Sequence, residues 1–171
     1  MRILKVKYNP KENQLHIKYA LPSLGGEDDA WDEYAITYKK ADPTPQFIEA
    51  LEWLRRDALV LCELDDTFKI DQVKVSGVSF SYGGEKDVMG AVITFSVNLD
   101  TANSPMNSNT PHKPSEPYHD GDAQPNECLP WECVRHLDQV IVETRAYLQG
   151  ERAQQDMGLE DNTAPGAEEI E

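Results

Sequence analysis

The sequence predicts an α+β domain: an antiparallel five-stranded sheet with two helices packed on one face, in the order β-β-β-α-β-β, long loop, α. Three observations predict it. Five short segments alternate apolar and polar residues, the period of a half-buried strand. Two longer segments space their apolar residues three and four apart, the period of an amphipathic helix. Consecutive strands are joined by short turns, which only antiparallel neighbours permit.

Leu4, Val6 and Tyr8 are expected on one face of the first strand, with Ile3, Lys5 and Lys7 on the other. Leu15, Ile17 and Tyr19 repeat the pattern, and Asn9-Pro10-Lys11-Glu12-Asn13 between them is turn chemistry, so residues 3–20 read as a hairpin with one wet, basic face. A loop rich in Gly and acids follows, then a third strand marked by Tyr34, Ile36 and Tyr38. Thr44 as N-cap and Pro45 at the first helical position open a helix that runs to about Cys62. In the next strand Val73 and Val75 share one phase while Val78, Phe80 and Tyr82 need the other, which requires an extra residue at Ser76-Gly77. Gly83-Gly84 turns the chain into the fifth strand, whose Met89, Ala91, Ile93, Phe95 and Val97 alternate. Residues 98–126 hold five prolines and almost no apolar residue, so neither helix nor strand of any length is expected there. Pro130 opens the second helix, with Val134, Leu137, Ile141 and Leu148 as its stripe and Gly150 as its stop. Residues 1–150 thus read as a single domain that includes the 98–126 loop, and 151–171 as an acidic, flexible tail. The same strand–helix order also fits an OB-like barrel, because order alone does not separate an open sheet from a closed one.

Charge bounds the function. Sixteen Lys and Arg stand against 31 Asp and Glu, a net charge of −15, and such a surface repels nucleic acid and acidic membranes except where bases are segregated. Residues 1–20 hold Arg2, Lys5, Lys7, Lys11 and Lys18 against Glu12 alone, whereas residues 151–171 hold seven acids against Arg152. The longest apolar runs, Ala58–Cys62 and Val88–Ile93, fall far short of the roughly 20 residues of a membrane span, so no membrane partner is expected. The alternating N-terminus does not read as a signal peptide, and three cysteines fit a reducing cytoplasm better than a disulfide scaffold.

Four sets of residues are candidates for chemistry. His112, His119, Cys133 and His136, with Cys128 nearby, are the donors a zinc ion would take, although their spacing matches no zinc motif. His119-Asp120-Gly121-Asp122 offers an imidazole and two carboxylates, and is also ordinary turn composition. Lys5, Lys7, His16 and Lys18 on the basic hairpin, with Trp31, Tyr34 or Tyr38 as stacking platforms, would suit a single nucleic-acid strand; edge lysines that deter strand pairing are the plainer reading. The Pro-rich loop is a docking strip or a strap across the sheet. Gly83-Gly84 lacks the Lys-Ser/Thr of a phosphate loop, and no Gly-x-Ser-x-Gly, His-Glu-x-x-His or Cys/His signature occurs, so the reading leans away from an enzyme.

Gly77-Val78-Ser79-Phe80-Ser81, Met89-Gly90-Ala91-Val92-Ile93-Thr94, Asn103-Ser104-Pro105, Asn109-Thr110-Pro111-His112 and Leu129-Pro130-Trp131-Glu132-Cys133 resemble stretches of a group of small uncharacterised proteins of tailed bacteriophages and prophages. The resemblance spans about residues 45–153 and supplies no catalytic residue. It implies a phage protein acting in the cytoplasm of the bacterial host. The leading expectation is a non-enzymatic accessory protein whose acidic surface binds a host or phage protein, its carboxylates imitating nucleic-acid phosphates in the basic groove of a partner from DNA metabolism. The alternative is an OB-like single-stranded DNA-binding protein with the acidic tail as regulator. A zinc-binding protein is the third, and zinc is the one cofactor that the residues bring into question.

Overall fold

The computed structural model describes residues 1–25, 30–119, 121 and 125–153. Asp120, Asp122 and residues 154–171, which carry most of the expected tail and both carboxylates of the His119 turn, lie outside the described residues. The fold is α+β: β1 (Arg2–Asn9), β2 (Gln14–Pro22), β3 (Trp31–Tyr38), α1 (Pro45–Leu61), β4 (Val73–Gly83), β5 (Val88–Val97), β6 (Met106–Asn109), β7 (Lys113–Pro114) and α2 (Trp131–Leu148). All pairings are antiparallel, in the order β3-β2-β1-β4-β5-β6, with β7 also on β5.

Two expectations are corrected here. Among the described residues the sheet has seven strands, because the 98–126 segment contributes β6 and β7. These short strands need no apolar alternation: they pair with the flank of β5 by backbone hydrogen bonds, and Thr110 adds its hydroxyl as acceptor for the Ile93 N–H at 2.9 Å. The sheet also stays open. Its path runs from β3 at one edge to β6 at the other without closing, as an OB-like barrel would have to.

Thr44 caps α1 by accepting a hydrogen bond from the Phe47 N–H at 3.2 Å, with Pro45 in the first turn where a missing N–H costs least. The helix buries Phe47, Ala50, Leu51, Leu54, Ala58, Leu59 and Leu61. On α2 the buried stripe is Cys133, Leu137, Val140, Ile141, Thr144 and Tyr147; the expected Val134 and Leu148 lie at its margins, only half-buried. Gly150 adopts φ +105° just past the helix, the left-handed geometry that ends it. Both helices cover one sheet face, where Ile3, Val6, Leu15, Ile17, Val78, Phe80, Ile93 and Phe95 are buried against them.

Register shifts occur at two places. One falls between Val75 and Gly77, where the sequence requires an extra residue. The other falls between Ile3 and Lys5, where unbroken alternation had been expected. The extra residue there is Leu4, so Ile3 joins Val6 in the core and Leu4 is displaced from it.

Candidate functional site

The uncovered sheet face takes its character from β1 and β2. Lys5 lies opposite Lys18 and Lys7 opposite His16, and directly opposed residues of an antiparallel pair share a face. Their neighbours Val6 and Ile17 are fully buried on the helix side, so the four basic side chains stand on the open side. Lys18 is ion-paired with Glu33 of β3, and the His16 ring bonds the Thr37 hydroxyl at 2.9 Å. Beside Lys5 and Lys7 lies a groove of about 420 Å³ lined by Gly77, Ser79, Val92, Thr94 and Asn109. Among the described residues no Asp or Glu occurs in β1, β2, β4, β5, β6 or β7, although the chain carries 31 acids.

The aromatic platforms expected there are not free on that face. Tyr34 lies opposite Tyr19 and stacks on it, with ring centroids 5.4 Å apart; it shares the strand phase of Ile36 and Tyr38, and Tyr38 meets Tyr147 of α2 edge-on. Period-two alternation thus puts Tyr34 on the helix side, away from Lys18. The Trp31 ring is already covered by the Arg2 guanidinium at 3.9 Å, itself paired to Asp87 at 2.6 Å.

The expected zinc donors are separated by the sheet. His112 stands on the open face, its Nε2 2.8 Å from the Ser81 hydroxyl. Cys133 is fully buried in the core on the other side, and burial together with the Asp57 charge pushes its thiol up to about 12. The His136 Nδ1 is 2.6 Å from Asp57 between α1 and α2, and His119 is exposed. Among the described residues no three His, Cys, Asp or Glu side chains converge as a metal would require. Burial raises Asp57 above the ordinary carboxylate range, against the lowering effect of the His136 hydrogen bond. Cys62 and Cys128 line a cleft of about 900 Å³ between the end of α1 and the segment entering α2; Lys113, Asn109 and Asn126 share its wall.

The outer surface of the helical layer carries residues that the sequence reading passed over. Trp131 is 66% exposed and Trp53 47%, with Val60 and Val142 also exposed. The Trp53 ring of α1 lies against the His136 ring of α2, with centroids 5.8 Å apart, and on α2 the Arg135 guanidinium lies 5.4 Å from the Trp131 ring. Exposed Glu49, Glu52, Glu132 and Asp138 belong to the same two helices. The signal was available: Trp53 and Val60 are one heptad apart and off the apolar stripe of α1.

No protein-family model, no curated protein and no solved structure matches this chain. Among the described residues no helix is long and apolar enough to cross a membrane.

Proposed function

We propose that this is a non-enzymatic binding protein that docks onto a protein partner through the outer surface of α1 and α2. The observation that carries the reading is the exposure of Trp53 and Trp131 on that surface, with Arg135 against one ring and carboxylates on the same helices. Tryptophan and arginine dominate the binding energy of protein interfaces when a polar rim surrounds them. A chain of net charge −15 selects a basic partner surface by long-range attraction. The partner chemistry that fits is a basic groove of the kind that otherwise holds nucleic-acid phosphates, in the phage and host setting that the resemblance implies.

The test is a paired capture from infected host cells with the wild-type chain and the Trp53→Ser/Trp131→Ser variant. The reading requires a basic protein held by the wild type, released by the variant and released by salt. It also requires that nucleic acid compete for that protein. Equal capture by both chains removes the helical surface from the reading.

A second reading is favoured by the acid-free strands: Lys5, Lys7, His16 and Lys18 on the open face would contact the phosphates of a single nucleic-acid strand. With Tyr34 on the far side and Trp31 under Arg2, that contact is to the backbone and carries no base preference. Gel shifts with single-stranded DNA at rising salt decide it. Lys5→Glu/Lys7→Glu should abolish a shift that salt weakens; a shift unchanged by that variant rules the reading out.

A further inference from the structure

The two edges of the sheet differ sharply. On one side β6 has four residues and β7 two, one of them Pro114, so little backbone is left for another strand to pair with. On the other side β3 runs eight residues without proline and without a register shift against β2. Its outer side has no partner strand among the described residues. Natural proteins block such an edge with a bulge, a proline or a central lysine, and β3 has none of these. Its centre, Tyr34-Ala35-Ile36-Thr37, is uncharged and largely exposed.

The charges stand at the ends and are opposite in sign. Asp32 and Glu33 lie at the start of β3, and Lys39 and Lys40 directly follow Tyr38. Neither lysine has a carboxylate partner among the described residues.

We propose that β3 is a self-association edge and that its occupant is β3 of a second copy of this chain, paired antiparallel about a two-fold axis at Ile36. The register follows from the pleat. A two-fold axis normal to the sheet keeps both helical layers on the same side, so opposed residues must share strand phase. Centring on Ile36 satisfies this and sets Tyr34 against Tyr38 of the other copy. It also brings Asp32 and Glu33 at the start of one strand towards Lys39 and Lys40, in the bend that follows the end of the other, at both ends by symmetry. The result is one continuous sheet across two copies, with aromatic cross-strand pairs and opposite charges at each end flanking an uncharged centre. This inference stands apart from the helical docking surface, which the edge pairing leaves free.

The experiment is sedimentation equilibrium on the full chain, with two charge variants. Wild type should show a reversible monomer–dimer equilibrium with a dissociation constant on the order of 1–100 μM. Lys39→Glu/Lys40→Glu places acids at both ends and should weaken association at least tenfold; Asp32→Lys/Glu33→Lys places bases at both ends and should do the same. An equimolar mixture of the two variants restores complementarity at each end and should associate as tightly as wild type, which separates edge pairing from misfolding of either variant. Wild type that stays monomeric up to about 500 μM overturns the proposal. So does a variant that associates undiminished, or a mixture that fails to recover.

Discussion

Replacing Gly77 by alanine should destabilise the fold far more than any other single methyl added on the open face. An ideal Cβ at Gly77 would sit 2.2 Å from the Val6 carbonyl oxygen and 3.0 Å from the Lys7 Cα, both backbone atoms that no rotamer change can move. The first distance is at least about 1 Å short of ordinary contact, so β1 and β4 must separate by about that much. They are joined across only three residue pairs, Lys5 with Ser79, Val6 with Val78 and Lys7 with Gly77. Within the sheet, this strand pair is the junction between β3-β2-β1 and β4-β5-β6. Two weakened backbone bonds at about 1 kcal/mol each, plus about 1–3 kcal/mol of overpacking, give about 3–5 kcal/mol. For a chain of this size that lowers Tm by about 6–20 °C. Thermal unfolding followed by circular dichroism measures it, with Ser79→Ala on the same strand as the control, expected within about 1 kcal/mol of wild type. A Gly77→Ala variant melting within about 2 °C of wild type would refute the argument that this seam admits no side chain.

Other outcomes follow from single contacts. Tyr147 is buried and donates its hydroxyl to the Ala41 carbonyl at 2.6 Å, so Tyr147→Phe leaves that carbonyl unpaired and should cost about 1–3 kcal/mol in urea unfolding. In native protein a thiol reagent should modify the half-buried Cys62 and Cys128 but leave Cys133 intact until the chain unfolds, which peptide mass mapping reads directly. Asp57 has its folded pKa raised by burial, so between its unfolded and folded values the native state holds the extra proton and stability falls as pH rises through that window. Asp57→Asn should remove this acid-range slope; a pH–stability profile identical to wild type would contradict it.

Local signals carried most of the fold. The cap at Thr44, the stop at Gly150 and the phase change at Ser76-Gly77 each depend on neighbouring residues alone, and each is where the sequence places it. Phase could not be read where one residue was ambiguous. Ile3 and Leu4 are equally apolar, and only pairing with β2 on one side and β4 on the other decides which of them the bulge displaces. β6 and β7 were hidden because strands held by backbone bonds to a neighbour need no hydrophobic alternation of their own.

The candidate site divided in the same way. Strand period put Lys5, Lys7, His16 and Lys18 on one face from sequence alone, because side chains two apart on a strand share a side. What those side chains meet depends on chain segments distant in sequence. Glu33 reaches Lys18, Arg2 covers Trp31, and the sheet itself stands between His112 and Cys133. The sequence by itself determined the two helices, the five longer strands, most of their faces and the surplus of negative charge, since these follow from local geometry and composition. Only the tertiary structure decided which edge stays open and which tryptophans face outward, because both depend on what the rest of the chain leaves uncovered.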